Sequence, residues 1–179
     1  MTTTKIPKGE QQVLADFFDT SVGGAHFSEC RKYRYYLWRV WDVEKPLILF
    51  IGLNPSTADE NMDDNTIRRV KRFARDWGYG GVYMMNLFAW VTPYPEELPL
   101  AKDPLGDNNY WLKDVSGKCK DVLCAWGSFP EAAARAKEVH AMFPRALALI
   151  VNKDGSPRHP LYVPAKTKPV NFDLIPTTP

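Results

Sequence analysis

The chain has 179 residues, 45% hydrophobic, 25% charged and 13% aromatic, with a net charge of +2. That length makes one domain with a sizeable core, and a chain so apolar and so nearly neutral is not a disordered one. No apolar run approaches the roughly 18–20 residues of a membrane helix, and the polar opening 1–9 lacks the apolar centre of a signal peptide, so a cytoplasmic protein with no membrane contact is expected.

In chain order, residues 11–19 are a candidate short helix. Residues 32–42 (KYRYYLWRVWD) are rich in strand formers and read as an antiparallel or edge strand ahead of the core. Residues 47–53 (LILFIGL) are almost continuously apolar, the signature of a strand covered on both faces. Residues 64–77 carry Ile67, Val70, Phe73, Ala74 and Trp77 at helical spacing. Residues 82–90 (VYMMNLFAW) repeat the buried-strand pattern. Residues 92–104 hold four prolines and read as a long loop. A weaker helix is placed at 108–115 and a third strand at 121–126. A helix at 128–143 starts from a Ser128/Glu131 capping box with Pro130 in its first turn. A fourth strand is placed at 146–151. The remainder is loop-like and ends in a Pro-rich tail. This alternation predicts an α/β fold: a three-layer α/β/α sandwich around a central, mainly parallel four-stranded sheet, plus an N-terminal edge strand. The chain is expected to be a single domain over 1–179. Its core covers about 33–164, between a flexible N-terminus and the tail.

Ligands of open parallel sheets bind at the carboxyl ends of the strands. The residues just after each apolar run are therefore the informative ones. After the first comes Gly52-Leu53-Asn54-Pro55-Ser56-Thr57-Ala58. Asn86 sits near the end of the second, Trp126-Gly127-Ser128 come after the third, and NKDGSPRHP (152–160) after the fourth. Polar and turn residues thus converge on one sheet edge. Each has a plainer alternative. The first turn is also an ordinary strand-to-helix turn with Ser56 as a cap, and His159 also reads as a surface histidine. Asn86 is harder to explain away: an amide in an apolar strand costs about 1–3 kcal/mol if unpaired, and its donor and acceptor lie side by side, as an amide or nucleobase edge requires. Phe88 and Trp90 are candidates for the core or for stacking. Arg68, Arg72 and Arg75 share one helix face, which Asp64 can partly neutralise. Three cysteines without a CxxC, and three histidines without an HExxH, predict no metal site.

The stretches GLNPSTADE (52–60), DDNTIRR (63–69), WGYGGVYMMNLFAW (77–90), CAWG (124–127) and KDGSPRHPLYV (153–163) resemble the bacterial and phage family called domain of unknown function 1643. More distantly, the same strand ends are similar to the uracil-DNA glycosylase superfamily. Gly52-Leu53-Asn54-Pro55 matches its glycine-x-Asp/Asn-proline motif. Asn86 stands where many members carry a base-reading Asn, Trp126-Gly127 where a strand ends in Trp-Gly, and His159-Pro160 in its His-Pro loop. Ser56-Thr57 replace its Tyr-His, and Leu161-Tyr162 come after the His-Pro in place of Ser.

This resemblance implies hydrolysis of the N-glycosidic bond of a uracil-like or modified base in DNA. Asn54 would position water, with Asp64 (or Asp63) as fallback base, and His159 would donate to the departing base. Gly52, Leu53, Pro55, Asn86 and Phe88 would hold the base. Ser56, Thr57, Lys153, Ser156 and Arg158 would contact phosphates, and Leu161 or Tyr162 would wedge into the stack. No cofactor is expected. The expected partner is DNA, single- or double-stranded, or a nucleotide, and the protein is expected to be a monomer. Two alternatives keep the fold: a nucleotide- or modified-base-processing enzyme using the carboxylates of 59–64 with a metal, and a non-catalytic module binding modified DNA. The average charge hides a modest polarity. Residues 145–179 carry five Lys or Arg against two Asp, whereas 91–115 carry five acids against two Lys.

Overall fold

Strand β3 (Leu47–Gly52) is apolar up to its terminal glycine. Because alternate side chains point to opposite faces, such a strand needs cover on both. The computed structural model, which describes residues 21–56, 58–59 and 61–173, shows that cover. On one face Ile48 and Phe50 join Val82 and Met84 of β4 (Gly81–Asn86) and Ile67, Val70 and Phe73 of α1 (Asn65–Asp76). On the other, Leu49, Ile51 and Met85 meet Leu112 and Val115 of α2 (Asn108–Ser116) and Ala136 and Val139 of α3 (Ala133–Met142). Each fully buried Leu, Ile or Phe contributes about 1.5–3 kcal/mol. These two interiors therefore fix the three layers.

Among the described residues the sheet has seven strands, where four and an N-terminal edge strand were expected. Its order is β1-β2-β4-β3-β5-β6-β7, with β1 at Val22–Phe27, β2 at Arg34–Val40, β5 at Asp121–Cys124, β6 at Leu147–Ala148 and β7 at Val170–Asn171. The four middle strands are parallel. Strand β2, expected as an antiparallel or edge strand, is antiparallel but interior: it pairs with both β1 and β4. Strand β1 had no apolar signature, because its glycines serve the packing. A Cβ at Gly23 would stand 2.4 Å from Arg39 Cδ, and one at Gly24 3.1 Å from Trp38 Nε1. Strand β7 is a two-residue antiparallel partner for β6.

Other boundaries differ for local reasons. Strand β4 ends at Asn86, and the next two N–H groups donate to the carbonyls of Gly52 and Leu53. The fourth parallel strand shrinks to two residues, with Val151 turning back to bridge Pro157. Ser128 caps no helix: its hydroxyl donates to Asp154, and a 3-10 turn at Pro130–Ala132 precedes α3. The 92–104 loop contains a 3-10 turn, Pro95–Leu100. The expected helix at 11–19 and the last six residues of the tail, 174–179, lie outside the described residues. No described helix is long and apolar enough to cross a membrane.

The connections position the site. From β3 the chain passes to α1 on one face, whereas from β4 and β5 it passes to α2 and α3 on the other. The carboxyl end of β3 is thus flanked on both sides by strands whose loops leave the opposite way, the arrangement that opens a crevice in such sheets.

Candidate functional site

A cavity of about 770 Å³ occupies that crevice. Gly52, Leu53 and Asn54 line it from β3, Asn86 from β4, and Trp126 and Gly127 from the segment after β5. Asn152, Arg158, His159 and Tyr162 close it from the loop after β6, and Ser56 and Asp64 from the approach to α1.

Asn86 is only 2% exposed, and its Nδ2 has no hydrogen-bond partner among the described residues. The backbone beneath it is well held. Asn108 at the start of α2 donates from Nδ2 to the carbonyls of Asn86 and Leu87, at 2.9 and 3.0 Å. The strand end is therefore rigid while the side-chain amide is idle. Gly52 makes room for it: a Cβ there would lie 2.8 Å from Asn86 Oδ1 and 2.7 Å from Met84 Cε. Met84 has a flexible end, but the amide has nowhere to go. Gly52→Ala should therefore cost about 1–3 kcal/mol in denaturant melts. Adding Asn86→Ala should recover part of that loss, because the two positions share one space.

Asn54 donates from Nδ2 to the carbonyls of Thr92 (2.7 Å) and Pro55 (3.1 Å). Its two amide hydrogens clamp the Gly52–Pro55 turn to the proline-rich loop. What it has left for chemistry is Oδ1, an acceptor that can orient a water but not deprotonate it.

His159 opens the 3-10 turn Pro160–Tyr162, and its Nδ1 accepts from Leu161 N at 3.4 Å. Burial holds its pKa below the ordinary histidine value, while the charge of Asp64 pulls the other way. A neutral ring that accepts at Nδ1 carries its proton on Nε2, where it is a hydrogen-bond donor. Gly127 allows this loop to approach. It has φ +78, and a Cβ there would touch His159 Cβ at 3.4 Å. Arg69 of α1 holds the loop from below, donating to the carbonyls of Pro160 (3.4 Å) and Val163.

Asp64 is the N-cap of α1. Its Oδ1 accepts from Ile67 N at 2.8 Å, and its Oδ2 from Ser56 Oγ at 3.4 Å. Arg68, its expected partner, is exposed and donates to Asn65 Oδ1 at 3.3 Å. The segment's other described acids, Asp59 and Asp63, hold the fold. Asp59 accepts the turn N–H groups of Asn61 and Met62. Asp63, the other base candidate, lies between Arg39 Nε (2.9 Å) and Lys71 Nζ (2.7 Å) and does not line the cavity.

The remaining predicted residues are dispersed. Phe88 is half-buried against the core and does not line the cavity, whose aromatic residues are Trp126, Phe129 and Tyr162. Ser156 lines a neighbouring hollow of about 210 Å³, bound to Asp154. Pro55 is buried beside the site, Lys153 and Leu161 are exposed outside it, and Thr57 is not among the described residues. Arg158 does reach the cavity, aimed by a 2.8 Å bond from Nε to Asn152 Oδ1. The acidic 91–115 stretch is not remote from the basic one, since Glu96 also lines the cavity.

One buried, charged cavity residue lies outside the sequence motifs. Arg34, at the start of β2, lines the cavity at 4% exposure and donates from Nη1 to Ala58 O at 2.6 Å. A signal was present: a charge inside a strand of aromatics raises the same question as Asn86.

No curated protein and no solved structure matches the chain. A family model does match, over residues 34–161, and that span contains Arg34, Gly52, Asn54, Asp64, Asn86 and His159. The chain belongs to the protein family of unknown function DUF1643.

Proposed function

We propose that the protein hydrolyses the N-glycosidic bond of a uracil-like or modified base in DNA. One observation carries this reading: a rigidly mounted, buried Asn86 amide nitrogen without a partner among the described residues, lining a cavity that also holds Asn54 and His159. An idle buried amide costs about 1–3 kcal/mol unless a ligand satisfies it, and an amide matches a base edge. The similarity of the strand-end motifs to the uracil-DNA glycosylase superfamily supports the same reading.

Each cavity residue then has a role. A base swung out of the stack enters the cavity, pairs with Asn86 and lies against Phe129 in place of Phe88. As the bond to the sugar breaks, the sugar becomes cationic and the base anionic. The His159 Nε2–H donates to the base oxygen that gains charge, as a donor fixed before reaction. Asp64, close enough to act on the His159 ring, is placed to stabilise the cationic sugar. Asn54 Oδ1 orients the attacking water. With no strong base engaged, turnover is slow. Arg158 takes a phosphate, and the exposed Leu161 and Tyr162 fill the gap left in the stack.

The metal-assisted alternative would need the carboxylates of 59–64, but Asp59, Asp63 and Asp64 are engaged by protein partners. The test is mass-spectrometric detection of free base after incubation with DNA containing uracil, mismatches or phage-type modified bases. Release of one base class is expected. Binding without release would favour the non-catalytic module, and no release from any substrate would remove the glycosylase reading.

Asn86→Leu separates recognition from folding. It removes the idle amide at nearly constant volume, so the melting temperature should hold or rise while affinity for free base falls about tenfold or more. Calorimetry of both properties on one preparation checks this.

A further inference from the structure

Asn86 is not the only idle donor in the cavity. Arg34 Nε is buried and has no hydrogen-bond partner among the described residues. Its guanidinium donates from Nη1 to Ala58 O, which holds the chain at Ala58. Pinning a carbonyl needs one N–H, not a buried charged fork. Burial lowers the Arg34 pKa to about 10; the charge of Asp64 raises it, Arg39 lowers it, and Asp59 raises it again. The group thus remains a cation at neutral pH. Burying such a cation is costly unless an anion and its hydrogen bonds compensate. Arg39, five residues along β2, shows what a compensated arginine looks like here: Asp63, Asp59 O, Trp38 O and Gly24 O satisfy its fork.

We propose that Arg34 is a specificity-determining residue that binds an oxyanion of the ligand, a carboxylate or phosphate group carried close to the base edge that Asn86 reads. The inference rests on the base-pocket reading and narrows it. A plain base offers the pocket neutral oxygens. An oxyanion offers charge and two acceptors to a guanidinium, the pairing in which arginine outperforms other donors. Arg158 across the cavity adds positive charge, and Asp64 and Glu96 oppose it, so the preference depends on the fork geometry at Arg34 rather than on net charge. The oxyanion has two sources of the same chemistry: an acidic substituent on a modified base, or the phosphate of a free nucleotide.

Isothermal titration of the full chain with uracil, 5-carboxyuracil and uridine 5′-monophosphate tests this. The wild type should bind one of the two acidic probes about tenfold or more tighter than uracil, and which one identifies the source. Arg34→Met should bring that ratio to near unity. Arg34→Lys keeps a donor for the Ala58 carbonyl and the charge but lacks the fork; it should fold as the wild type does and keep only part of the preference. Equal wild-type affinity for uracil and both acidic probes overturns the proposal and leaves the base pocket standing. So does a preference retained in a folded Arg34→Met. Failure of all three probes to bind overturns the proposal together with the base-pocket reading.

Discussion

Replacing His159 by alanine should lower single-turnover base release by about 10²–10³-fold while leaving DNA binding nearly intact. The ring is neutral, accepts from Leu161 N through Nδ1 and so donates through Nε2. A donor fixed before reaction stabilises charge that exists only in the transition state, so its removal affects the rate rather than binding. Asn54→Ala should also abolish release, but that residue clamps two loops through Thr92 and Pro55. His159 is therefore the cleaner probe. If both variants release base at the wild-type rate, these roles are wrong.

The pH dependence has a defined sign. The folded ring binds a proton less readily than the unfolded one, because burial lowers its pKa. Above the ordinary histidine value of about 6.5 this costs nothing. As pH falls below it the unfolded chain takes up the proton first, and stability is lost until the folded pKa is passed. The wild type should therefore lose stability on acidification relative to His159→Gln, in melts taken between about pH 7 and 5.

Asp63→Ala should be the most destabilising single change, at about 3–5 kcal/mol. Asp63 serves two buried cations at once, with side chains 6% exposed for Arg39 and 7% for Lys71. Its loss takes a carboxylate away from both buried charges at once. Being buried, the interaction should change little between low and high salt, unlike the exposed Lys118–Asp114 pair. The effect should reach the site as well. Arg39 also holds the Asp59 carbonyl, and Asp64, the neighbour of Asp63 in the chain, caps α1 at the cavity wall. Urea melts with and without added salt check the size and the salt independence.

The parallel centre of the sheet was legible because its strands are buried on both faces and so appear as apolar runs. Asn86 was legible for the converse reason, as a polar residue inside such a run. What the sequence concealed was set by distant partners. Strand β1 is built of glycines that admit Trp38 and Arg39, so its stability lies in another strand's side chains. Ser128 and Pro130 spell a helix start, yet Asp154, far along the chain, takes the serine hydroxyl. Phe88 lies two residues past Asn86, but β4 ends at Asn86 and Phe88 falls on the core side. Arg34 stood out only as a charge inside an aromatic run, with nothing in the run to say which way it faces. Only the fold shows that β2 delivers it to the cavity.

The central claim is that the idle amide of Asn86 binds the base. The direct measurement is the side-chain amide NMR signal of Asn86, assigned by its loss in Asn86→Leu and monitored while free uracil is added. A saturable shift of that resonance, with the Asn108 amide little changed, is the predicted result. Saturable binding of uracil that leaves the Asn86 amide unmoved would contradict the claim.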